Sequence, residues 1–374
     1  MIIVFDQSLA DKLDESKGLD DSVLGALAVC AQQAFEGNHI LMASRSVFSR
    51  LLAHEQYLSR KVAAILRRSA DKVTQRKAIR TYSQRAIRIV ATLEGNIPIR
   101  QAMEFEEEIL ISAFTVSNQS SLVAKPLFIT ENINDAKAYI KVVSDLVASG
   151  LLPEIEWLKT IPLRYEIAPG GGNTTAQLYK LVKEQGERVG AALADGDYRY
   201  PGGGVGETAK ALLDVHAEAP KSALLEAVIL PVRTVENAIP RATLLSTLGA
   251  LDTAQGRHGR RICDVLEKSP FWRFYPLKSG IRCFELGQGS AESQFWSALF
   301  GGRKCEVGTC CDKKSECPTF VMPPISGKTL ALVAAKPDGL AFSDDCLNGL
   351  KDVWLWLIKL IYSICCGTER VALI

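Results

Sequence analysis

KPLFITENINDAKAYIKVV, residues 125–143, decides how the middle of the chain is read. Residues 127–130 form an apolar run of strand length, Glu131 follows directly, and the apolar positions after Asn132 recur at helical spacing. Asp135, one helical turn beyond Glu131, falls on the same side of the strand-to-helix junction. A second run, VGAALADGDYRYPGG at 189–203, ends another apolar strand on Asp195 and Asp197, which an extended backbone turns to one face. Working outward, β-like runs at 163–167 and 227–230 alternate with helical patterns, so the expected class is α/β, a mostly parallel sheet flanked by helices. Acids at the carboxyl ends of adjacent parallel strands lie where open α/β sheets hold ligands. Carboxylates gathered there repel one another without a cation, and oxygen donors with no Cys or His nearby select Mg²⁺ or Mn²⁺ over zinc. Such a site supports displacement at phosphorus.

This ordered pattern resembles the TOPRIM domain of topoisomerases, DnaG-type primases and overcoming-lysogenization-defect (OLD) family nucleases. In that family a Glu follows the first strand and an Asp-x-Asp follows a later one. Glu131 and Asp195-Gly196-Asp197 match those positions, and Asp135 is similar to the second acid of the OLD-type Glu-x-x-x-Asp arrangement. ILPVRTVENAIP (229–240) is similar to the strand and Glu-Asn helix start of TOPRIM-like bacterial defence proteins, which nominates Glu236 as a further metal ligand or ligand-orienting group. FWRFYPLKSGI (271–281) is similar to the late lysine-bearing strand of OLD-type nucleases, which nominates Lys278 to neutralise phosphate charge. Where family members commonly have Gly after the first Glu, this chain has Asn132.

The resemblance covers about residues 122–290 and implies a TOPRIM-like Rossmannoid catalytic domain. It further implies a Mg²⁺-dependent nuclease cleaving DNA or RNA, with Glu131, Asp195, Asp197 and Lys278 catalytic, in a bacterial anti-phage defence setting. OLD-type domains work with ABC-class ATPases, and this chain has no intact Walker A, so an ATPase would be a separate partner. The alternative is a non-catalytic TOPRIM-like nucleic-acid-binding or regulatory subunit.

Charge divides the chain. Twelve basic residues between Arg45 and Arg88 face only Glu55 and Asp71, a net +10, which against +2 overall leaves about −8 elsewhere. Gly and Pro are absent from 45–93, and Val62, Ile65, Val73, Ile79, Ile87 and Val90 recur at roughly helical spacing. The expectation is a mainly helical, basic N-terminal domain over 1–120, with Arg60, Lys61, Arg67, Arg68, Arg76 and Lys77 meeting phosphate backbones. A solvated helix face or a subunit contact in an oligomer fits the same pattern. An acidic helix is expected around Glu104–Glu108. Asp6, after Ile2–Phe5, is similar to the first acid of PIN-type nucleases but lacks partner acids in the next hundred or so residues, and is read as structural.

The catalytic domain is expected over 121–290 and a Cys-containing extension ending in an apolar helix over 291–374. PGGGVGETAKALL (201–213) looks like a Walker A loop whose lysine has become Glu207; a carboxylate there repels phosphates, so it reads as a glycine loop leading into a helix. Pro169–Thr175 reads as a second such loop. Cys305, Cys310, Cys311 and Cys317 could hold a structural Zn²⁺ or stand as unpaired thiols. No secretory signal is legible, so ten cysteines in a cytoplasmic setting would be mostly reduced. The apolar stretch 353–366 falls short of a membrane span and reads as a buried helix, with Trp296, Trp354 and Trp356 as core.

Overall fold

The computed structural model describes residues 1–102, 107–218, 224–249, 270–301, 317, 319–325, 329–342 and 344–370. Two sheets organise these residues. The first runs β2 (Ile40–Met42), β1 (Ile2–Phe5), β3 (Arg85–Val90), β5 (Glu107–Ser112), β4 (Ile99–Ala102), parallel except for the antiparallel edge strand β4. The second runs β7 (Glu166–Pro169), β6 (Leu127–Thr130), β8 (Gly190–Ala194), β9 (Leu225–Ile229), all parallel. The expected α/β class, a mostly parallel sheet flanked by helices, is therefore observed, and it is observed twice.

The N-terminal segment departs from the mainly helical domain expected of it, because its helices pack around the first sheet. Ile87 and Val90, read as part of a helix, belong to β3; Glu107 and Glu108, read as helical, open β5. The reason is cross-strand pairing. Arg85 of β3 lies opposite Glu107 of β5 with their charged groups 2.7 Å apart, while Ala86, Ile87 and Ile89 are fully buried. Charges that looked like a helix face are held between strands.

The expected boundary near 120 falls after the Ala113–Asn118 helix, but the one at 290 does not hold. β10 (Ile281–Arg282) pairs antiparallel with β11 (Phe320–Met322), and one continuous core runs from Met1 to Cys366. Each fully buried Val, Leu, Ile or Phe in it contributes about 1.5–3 kcal/mol. The Asp344–Cys365 helix buries Val353, Trp354, Leu357, Ile358 and Ile361, as its apolar pattern predicts. Among the described residues no helix is long and apolar enough to cross a membrane.

Small residues set how closely the second sheet packs. All five residues of β8, GAALA, are buried, and a Cβ on Gly190 would lie 2.0 Å from the Leu127 carbonyl oxygen. Only glycine lets β6 and β8 come together at this height.

Candidate active site

The chain leaves β6 toward β7 on one side and leaves β8 toward β9 on the other, so the crevice between the carboxyl ends of β6 and β8 is a topological switch point. Glu131 and Asp195 are the residues that follow those two strands. Asn132, in the position the resemblance assigns to Gly, starts the Ile133–Ala148 helix. Its side chain accepts from the Asn134 and Asp135 N–H groups, while Asp135 Oδ2 accepts from Asn132 N and Nδ2 at 2.9 and 2.6 Å. This capping box explains the departure: helix initiation is done by a side chain here. It also engages one oxygen of Asp135 in a structural task.

Asp195 is buried, and its Oδ1 accepts from Tyr139 Oη and Val235 N, both at 3.0 Å. Asp197 holds a left-handed backbone, φ 49°, with its N–H donating to the Arg233 carbonyl at 2.7 Å. The following loop folds back on it: Gly206 N donates to Gly196 O at 3.0 Å, and a Cβ on Gly206 would meet Asp197 Oδ2 at 2.3 Å. The Walker-like glycines thus pack against an acid before the Glu207–Glu218 helix begins. In the other glycine run, Gly171 and Gly172 donate N–H groups to the Glu131 carbonyl at 2.8 and 3.1 Å.

Glu236 lies in the short Val235–Ala238 helix and is 4% exposed. Its Oε1 sits 3.2 Å from Lys278 Nζ, whereas its Oε2 is buried without a hydrogen-bond partner. Lys278 stands in a turn, not on the late strand expected for it; Pro276 supplies no N–H, and its carbonyl accepts from Ser279 N and Gly280 N. Asn237 ties this turn to the site, donating Nδ2 to Trp272 O and Tyr275 O at 2.7 and 3.0 Å.

Burial raises the Glu131 carboxyl above its ordinary value, and Asp135 and Asp197 add to the effect. Burial likewise raises Asp135, with Glu236 contributing. Asp195 is pushed well above the carboxylate range by burial, then by Glu236, Glu131 and Asp135. Asp197 is raised by burial against the pull of Arg233, Lys278 and Arg199. Burial opposes the Lys278 charge, but Glu236, Asp195 and Asp135 outweigh it and raise the ammonium. The crevice thus concentrates Glu131, Asp135, Asp195, Asp197 and Glu236 around Lys278. Among the described residues, however, no three acidic, His or Cys side chains close on a single ion-sized point. Tyr139, Val235 and Asn132 hold Asp195 and Asp135 through protein donors instead.

Tyr139, Arg233 and Asn237 were not legible as site residues. Tyr139 shows only as a core position of its helix, and Asn237 acts through carbonyls 35 and 38 residues away.

The other nominated residues are scattered. Arg60, Arg67 and Lys77 are exposed, with Arg67 paired to Glu55; Lys61 lies 3.7 Å over the Phe35 ring. Arg68 and Arg76 line a cavity. Of the zinc candidates, Cys305, Cys310 and Cys311 lie outside the described residues, and buried Cys317 places its Sγ 3.1 Å from that of Cys283, which the sequence did not nominate. No protein-family model matches the chain, and no curated protein and no solved structure matches it.

Proposed function

We propose that this chain is a Mg²⁺-dependent, TOPRIM-like nuclease that cleaves phosphodiester bonds of DNA or RNA, in the anti-phage setting the resemblance implies. The observation that carries the reading is the partnerless, buried Glu236 Oε2 beside four carboxyls that burial, and for Glu131, Asp135 and Asp195 also neighbouring acids, makes harder to ionise. A divalent cation relieves that imbalance, and an all-oxygen donor set fits Mg²⁺ or Mn²⁺. Glu131, Asp195, Asp197 and Glu236 would have to draw together to hold it, while Asp135 caps its helix. When bound, the ion would polarise the phosphodiester and lower the pKa of a water.

The chain's own groups do the rest. Lys278, half-exposed at the rim, pairs with phosphate charge. Tyr139 fixes the orientation of Asp195, and Asn237 fixes the turn that carries Lys278. Exposed Arg60, Arg67 and Lys77 would guide the polyanion, making binding salt-dependent.

The test incubates purified protein with plasmid DNA, single-stranded DNA or total tRNA, in Mg²⁺, Mn²⁺ or EDTA, beside a Glu131→Gln, Asp195→Asn double variant. Metal-dependent cleavage abolished in the variant supports the reading and identifies the substrate. No cleavage, together with no Mg²⁺-induced rise in Tm, refutes it in favour of the non-catalytic binding subunit.

A further inference from the structure

Away from the carboxylates lies a cavity of about 300 Å³. One wall comes from the Arg60–Asp71 and Val73–Tyr82 helices and carries Arg68, Lys72 and Arg76; the other comes from residues 160–162 and 367–369. Ile40 opens β2, and Pro162 lies upstream of β7, so the cavity sits at the amino-terminal edges of both sheets. The carboxylates occupy the opposite, carboxyl-terminal edge of the second sheet.

Its charge is unbalanced. Three cations line it against the single carboxylate of Glu369. Among the described residues, Arg68 and Lys72 make no salt bridge, and Arg76 donates Nη1 to the Leu41 carbonyl at 2.9 Å. Burial and then Arg68 lower Arg76 to about 10, and burial, Arg68 and Arg76 lower Lys72 against the pull of Glu369. Lys72 also joins the two helices that form this wall. Beside the cations the lining mixes an apolar patch of Ile40, Ile65, Ile161 and Pro162 with hydrogen-bonding Ser69, Gln75, Thr160 and Thr368. Cations next to an apolar wall, in a volume at the small end of ligand pockets, suit a phosphate carrying an organic body.

We propose that this cavity binds a small organic phosphate of mononucleotide size, its phosphate between Arg68, Lys72 and Arg76 and its planar body against Ile65, Ile161 and Pro162. Bound there, the ligand would join the N-terminal helices to the segment that follows the Asp344–Cys365 helix.

Calorimetric titration of the full chain tests this with AMP, GMP, UMP, pyrophosphate and a short DNA duplex, in wild type and an Arg68→Gln, Lys72→Gln variant. Because those two cations make no ion pair among the described residues, the variant should keep the wild-type circular dichroism and Tm. The expected result is that at least one mononucleotide binds, more tightly than pyrophosphate, and is weakened at least about tenfold, some 1.4 kcal/mol, in the variant. An Ile161→Ala variant, which trims the apolar wall and adds no charge, should weaken the nucleotide while sparing pyrophosphate. Three results overturn the proposal: no mononucleotide binds; the double variant binds equally well; or the duplex alone binds and responds to the substitutions, assigning the cations to a nucleic-acid surface. Cleavage plays no part in this readout, so its failure and that of the nuclease reading are separable.

Discussion

The two sheets share one wiring. β2-β1-β3-β5 and β7-β6-β8-β9 both place the first strand in sequence second in space, all four parallel, with a switch point between the first and third. In both, an acid follows the first strand: Asp6 in one, Glu131 in the other. Their electrostatics are opposite. In the first sheet Asp6 caps its helix and meets Arg88 at 3.3 Å, and buried Glu108 is clamped by Arg80 and Arg88 at 2.6 and 2.5 Å. In the second, five acids outnumber the cations that act on them, Lys278 with Arg233 and Arg199 beside Asp197. Topology alone would nominate both crevices; charge balance separates a structural crevice from one prepared for a cation.

The sharpest way to break this contrast is to neutralise one acid in each. Glu108→Gln should cost about 3 kcal/mol in urea unfolding, because it removes the buried carboxylate that Arg80 and Arg88 share. Asp195→Asn in EDTA should change stability by less than about 1 kcal/mol, or raise it, since the amide keeps an oxygen for Tyr139 and Val235 and removes a buried charge. A large loss in Asp195→Asn would mean that the second crevice is as balanced as the first.

Acid should act on the two crevices in opposite senses. Burial works against the Glu108 charge, but bonds from Arg88 and Arg80 lower it overall; its stabilisation is complete above the ordinary 4.5 and is lost as pH falls through the lowered value. Asp195 is raised, so its penalty is absent below the ordinary 3.8 and grows as pH climbs toward the raised value. In metal-free protein, Asp195→Asn should therefore flatten the decline of Tm on the alkaline side and Glu108→Gln the decline on the acid side. Mg²⁺ should raise the wild-type Tm but not that of Asp195→Asn.

A small gain in stability is expected at Asp197. Its left-handed backbone costs about 1 kcal/mol, which Asp197→Gly should recover as a rise in Tm while cleavage is lost. Unchanged cleavage in that variant would remove Asp197 from the site.

What could be read in advance follows from how local each signal is. β6 with Glu131, and β8 with Asp195, were legible because an apolar run of strand length abuts its acid in the chain. The first sheet was not, because Arg85 and Arg88 are explained by Glu107 and Glu108 about twenty residues on, and a window of sequence shows cations without the strand that answers them. Lys278, nominated to neutralise phosphate charge on a late strand, lies 3.2 Å from Glu236 but in a turn, since Pro276 in its segment favours one. Tyr139 and Asn237 act on groups distant in sequence, and only the folded chain pairs them.

The loop at 201–206 carries a consequence for how such chains are searched. Its glycines spell most of a nucleotide-binding signature, yet Gly206 is required because an aspartate side chain occupies the space a Cβ would need. A pattern of glycines records how near a backbone must come to something; a phosphate and the protein's own acid both impose that nearness, and a motif scanner scores them alike.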